Sequence, residues 1–174
     1  ALTALHDGTQ ACELAPASVA QQPFHRLLKG AMQASIPAGI EPMDRAVFRA
    51  GGLARLSVPA DWTAGERRGV RDGKPYVVHW WHAGEGAQHA VVVKGAPEAV
   101  LALCGGEPAR LRQLTYIAEK WSAAGLRVLA VAEGRAAGAG PDAALPGDLR
   151  LEPLGLLCFM DPLREEVPRA IDEC

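Results

Sequence analysis

The sequence predicts an α/β domain in which a twisted antiparallel sheet is flanked by helices. Two stretches of strand character, Tyr76 to His82 and His89 to Val93, are joined by "AGEGAQ", whose glycines suit a hairpin. Between Ala109 and Ala124 the apolar residues Leu111, Leu114, Ile117, Ala118 and Trp121 recur with the 3.6-residue period of a helix that buries one face. "LRVLAVAEG" (Leu126 to Gly134) is a short apolar run of the kind found in buried strands. With 49% apolar and 22% charged residues over 174 positions, the chain has a globular composition and enough length to enclose a core.

From the amino end, the first twenty residues lack periodicity and read as a partly ordered lead-in. Phe24, Leu27, Leu28, Ala31 and Met32 then fall at helical spacing between Pro23 and Ser35, with Pro23 suited to a first turn. A second, short helix is expected from Pro42 to Arg49, with Met43, Ala46 and Val47 on one side and Gly51-Gly52 as its stop. Leu53 to Val58 reads as a strand, followed by the hairpin. After Val93, "APEAVLALCGG" reads as a helix opened by Pro97 and Glu98 and closed by Gly105-Gly106. The long helix ends at Gly125, and Gly134 to Gly147 reads as a flexible small-residue loop. A last strand runs through Met160, is broken at Asp161-Pro162, and gives way to a helix.

Several function classes are disfavoured. A formal charge of -2 offers no broad basic face for nucleic acid. Cys12, Cys104, Cys158 and Cys174 lie far apart without zinc-ligand spacing and read as reduced thiols. No stretch approaches the roughly 18 apolar residues of a membrane span, and the amino end lacks a signal-peptide pattern. "HWWH" (His79 to His82) invites a metal reading, but strand alternation sends the two histidines to opposite faces. No P-loop occurs.

The chemistry concentrates around Lys94. "VVVKGAPEAVLALC" (Val91 to Cys104) puts a cation at a strand end, a glycine that permits close approach, and a helix start with positive partial charge, all favourable to a phosphorylated ligand. This segment resembles the KGAPE motif of the nucleotide-binding domain of P-type, ion-pumping ATPases. "AAGLRVLAVAEG" (Ala123 to Gly134) is similar to that family's glycine-x-arginine strand, with Arg127 as the matching arginine. "LGLLCFMDPLREEVPRAIDEC" (Leu154 to Cys174) resembles its DPxR hinge, with Asp161 and Arg164 at the polar positions. "EPMDRA" looks like the acidic segment facing adenine and ribose, with Glu41 and Asp44 as candidates. "GVRDGKPYVV" (Gly69 to Val78) can be laid on the segment in which a phenylalanine stacks on adenine and a lysine follows, here Lys74. Gly69 stands where the phenylalanine belongs, leaving Tyr76, Trp80 or Trp81 as the rings available in its place.

The resemblance covers Val91 to Cys174 best, and implies a nucleotide-binding domain over residues 1–160 with a hinge and re-entry into a phosphorylation domain at 161–174. It implies binding of ATP, with Mg2+ in the full-length pump, by Lys94, Gly95, Arg127, Lys74, Glu41, Asp44, Asp161 and Arg164. It also implies phosphorylation and actuator domains of the same chain as partners, and a cytoplasmic place beside membrane helices. Neither nucleic acid nor direct membrane contact is expected. The DKTGT motif that carries the phosphorylated aspartate is not in this sequence, so the domain is expected to bind ATP without hydrolysing it. Replacing Lys94 by alanine is expected to cost about 1 to 3 kcal/mol of ligand binding with the fold intact. A regulatory or scaffold domain that has lost nucleotide binding is the alternative that Gly69 favours.

Overall fold

The computed structural model describes residues 1–70, 73–83, 88–137 and 149–160. The strands are β1 (Leu2–His6), β2 (Ala11–Glu13), β3 (Trp62–Arg68), β4 (Tyr76–Ala83), β5 (Gln88–Gly95), β6 (Arg127–Ala137) and β7 (Glu152–Phe159). They form one seven-stranded sheet in the order β2-β1-β7-β6-β5-β4-β3, antiparallel throughout. Helices α1 (His25–Gln33) and α2 (Pro42–Leu53) cover one face, and α3 (Pro97–Leu101) and α4 (Pro108–Ala123) the other. The domain is thus an α/β fold with helices on both faces of an antiparallel sheet.

Alternation along the strands builds the two cores. Val92, Val131 and Leu157 pack beneath α1 and α2 with Phe24, Leu27, Leu28 and Val47. Val91, Val93, Ala130 and Leu156 point the other way, against Val100, Leu114 and Ala118. A central strand with both faces covered must be apolar nearly throughout, which is why "AVVV" sits at the middle of β5. His79 pairs with Val92 and His82 with His89, so the histidines of "HWWH" do lie on opposite faces.

Five local expectations give way. The first residues are no lead-in: Leu2 and Leu5 are buried and β1 pairs with β7. Helix α2 runs through Gly51 and Gly52 to Leu53, because Met32 of α1 fills the space a side chain at 51 would take. The glycine is there for helix–helix approach, not for termination. No strand forms at Leu53 to Val58; β3 starts at Trp62. The helix after Lys94 is only α3, five residues long, too short to build a substantial dipole. Strand β6 also continues past Gly134 to Ala137, and the rest of the small-residue loop lies outside the described residues, as do the hinge at Asp161 and Arg164 and the helix expected after it. Among the described residues no helix is long and apolar enough to cross a membrane.

Candidate functional site

The candidate site is a cavity of about 700 Å³ on the α1/α2 side of the sheet. Its floor is Val77, Lys94, Gly95 and Leu129; one wall is the α1–α2 connection with the start of α2, from Ile36 to Asp44, and the other is Arg67 and Val70. Four of the residues singled out in the sequence, Glu41, Asp44, Lys94 and Gly95, meet in it, although they come from two segments some fifty positions apart. Two smaller hollows, of about 460 and 450 Å³, lie elsewhere and include none of the eight.

Lys94 is not a free cation. Its ammonium donates to Asp44 Oδ1 and to Ser35 Oγ, each at 2.5 Å, and both Lys94 and Asp44 are buried. Asp44 Oδ2 accepts the Ile36 backbone N–H at 2.9 Å, and the Ser35 hydroxyl donates to the Ala31 carbonyl at 2.7 Å. Burial alone would push the Asp44 carboxyl up, but the Ile36 amide and the Lys94 ammonium hold it below the ordinary aspartate range. Burial pulls the Lys94 ammonium down, against the attraction of Asp44. The pair therefore clamps the end of α1 and the start of α2 onto β5. Removing Lys94 leaves a buried carboxylate without its counter-charge, so the expectation that the fold would be untouched does not hold.

Gly95 has an internal reason to be glycine. A Cβ there would run into the Pro75 carbonyl and Tyr76, where the Ala96 N–H donates to Pro75 O at 2.8 Å. Glu41 is exposed at the rim. Lys74 is exposed just before β4 and does not line the cavity. Arg127 is exposed at the start of β6 on the same face as Leu129, two positions from the floor. The backbone around Gly69 is open, with nothing near the place of a side chain, while its neighbour Val70 is 67% exposed at the cavity's lip. Of the substitute rings, Tyr76 borders the cavity; Trp80 is buried in the opposite core, and Trp81 donates to the Gln33 carbonyl beneath α1.

Residues the sequence did not single out complete the lining. Ile36, Ile40 and Val70 are apolar and exposed, at 41%, 94% and 67%, which leaves the mouth greasy on both sides. Next to the cavity, His79 is buried with Nε2 unpartnered among the described residues, and burial together with the nearby Arg67 charge pushes it down to about 4. It is a neutral side chain at neutral pH. Nothing in the linear order could show that residues 36, 40 and 70 share a mouth, because the α1–α2 connection and the segment after β3 come together only in the fold. Among the described residues no cluster of three metal-ligating side chains occurs. No protein-family model matches the chain, and no curated protein matches it either.

Proposed function

We propose that the chain is the ATP-binding domain of a P-type, cation-transporting ATPase, holding the adenosine and near phosphates and delivering the terminal phosphate to an aspartate in a separate phosphorylation domain. The observation that carries this reading is the convergence of the KGAPE lysine and glycine with the acidic segment, Glu41 and Asp44, on one large cavity. An apolar mouth over a floor with few polar groups suits a flat base, with the polar part of the ligand toward the rim. In this reading Lys94 and Asp44 act by fixing the cavity's shape, and Arg127 and Lys74 reach the ligand from outside its floor. A further feature supports it: helices on both faces of an antiparallel sheet agree with the architecture expected of such a domain.

Gly69 favours a second reading, a regulatory or scaffold domain of such a pump without nucleotide binding, since the aromatic platform is replaced by open space. Calorimetric titration with ATP separates the two. Binding without turnover is expected of the first; no heat at millimolar ATP selects the second. Phosphate release that disappears on substituting one of the domain's own residues would overturn both and make the protein a self-sufficient hydrolase.

A further inference from the structure

Strand β3 contains a β-bulge that decides which charge faces the cavity. Ala64 pairs with Trp81 and Arg67 with His79, so Gly65 and Glu66 together stand opposite the single Trp80. In an uninterrupted ladder Glu66 would sit across from His79 and a carboxylate would face the α1/α2 side; the extra residue puts Arg67 there instead. The glycine suits this bulge, since a Cβ at 65 would lie 2.9 Å from the Trp80 carbonyl. The neighbouring arginine is engaged on the other face: Arg68 bonds Glu66 at 2.9 Å and stacks 4.9 Å from the Trp80 ring centre. Arg67 has no ion pair among the described residues, is exposed, and lines the cavity.

The geometry points to Arg67 as the residue that reads the phosphate chain of a nucleotide in this cavity, aimed there by the bulge. This rests on the nucleotide reading given above. Of the four charged groups in the lining, Lys94 and Asp44 neutralise each other, which leaves Arg67 and Glu41 to act on a ligand. Glu41 repels phosphate and can accept hydrogen bonds from hydroxyl or amino groups of a nucleoside, so the phosphates lie toward Arg67. A guanidinium presents a planar pair of donors that matches two phosphate oxygens at once. The linear order does not mark this residue, because the strand that carries it lies beyond the expected strand at Leu53 to Val58.

The test compares adenosine and ATP as ligands of the whole chain by calorimetry, in wild type, Arg67→Ala and Arg67→Glu, with thermal melts as a check on folding. The wild type should bind ATP roughly tenfold or more tightly than adenosine, the worth of a charge-assisted contact. Arg67→Ala should erase most of that ratio and leave adenosine affinity unchanged, and Arg67→Glu should bring ATP to or below adenosine. Arg67 is exposed, so neither variant should shift the melt of the free protein. If adenosine binds and the ratio survives in Arg67→Ala, the assignment of Arg67 is wrong while the nucleotide reading stands. If Arg67→Ala loses adenosine as well, Arg67 shapes the cavity and does not read phosphate, and the assignment falls. If the wild type binds neither ligand, the nucleotide reading falls and takes Arg67 with it.

Discussion

The two faces of the sheet are built from the same strands on opposite plans. Beneath α3 and α4 the strands present Val78, Trp80, Val91, Val93, Ala130 and Leu156 to an apolar core. Beneath α1 and α2 the core is equally apolar near β6 and β7, but toward β4 and β5 it holds Ser35, Asp44, His79 and Lys94, all buried. One residue step along β5 separates Val93 from Lys94. Burying an ion pair and a histidine stabilises less than burying hydrocarbon of the same volume, so the second face trades stability for a shaped and charged cavity.

The largest expected effect separates the faces by whether damage can be repaired. Lys94→Ala should destabilise the fold by about 3 to 5 kcal/mol, because Asp44 stays buried and charged. Adding Asp44→Asn should restore much of this, since the amide keeps an acceptor for the Ile36 N–H without the charge. Leu114→Ala on the apolar face should cost about 2 to 5 kcal/mol, from lost transfer energy and a cavity. No partner substitution of that polar kind should restore it. Urea unfolding of the wild type and these three variants reads both, and equal losses in the Lys94 single and double variants would remove the distinction.

His79 should sharpen the comparison through pH. Its folded value of about 4 lies below its unfolded value near 6.5, so between these limits the unfolded chain binds a proton that the folded one does not. Stability should fall as pH drops from about 6.5 to about 4, by roughly 3 kcal/mol, and the loss should level off below. His79→Gln should remove most of this slope. Part will remain, because burial also lowers His6. Asp44, whose carboxyl is depressed, contributes stability that is lost only at still lower pH, as the pH falls through its folded value. A wild-type profile already flat from pH 7 to 4 would show that His79 protonates in place.

The smallest effect concerns the missing platform. Gly69 has open space and no positive φ, so Gly69→Phe should fold normally and tighten ATP binding by about 1 to 3 kcal/mol if the ring reaches the base. Calorimetry on this variant reads it. An unchanged affinity would mean that the base, if held at all, sits among Ile36, Ile40 and Val70 without room for a ring.

Much of the fold was legible because its signals are local. The period of Leu111, Leu114 and Ala118 marked α4, the hairpin composition marked β4 and β5, and alternation separated His79 from His82. What failed depended on distant partners. Leu2 and Leu5 form a strand only because β7 returns beside them, and Gly51 looked like a stop because Met32 was out of view. The site was half legible: residue types and motif order pointed to Lys94 and Asp44 separately, but not to their ion pair. That pair turns two proposed ligand contacts into a clamp. Arg67 was hidden because β3 begins at Trp62, past the stretch that read as a strand, and its bulge then sets which face Arg67 takes.

The position of β7 between β1 and β6 also sets a timetable for biosynthesis. Strands β3 to β6 each pair with the next one made, so they can close as the chain emerges. The β1–β2 hairpin can pair with itself but cannot dock: Thr3 meets Cys158, 155 positions further along. At ordinary translation speeds of about 5 to 20 residues per second, that partner arrives roughly 8 to 30 seconds later. For that interval Leu2 and Leu5 lack β7, the strand beside which they are buried, and the hairpin is open to sticking elsewhere. Arrest of synthesis before Glu152 should therefore leave this hairpin open to protease, whereas release after Met160 should close it.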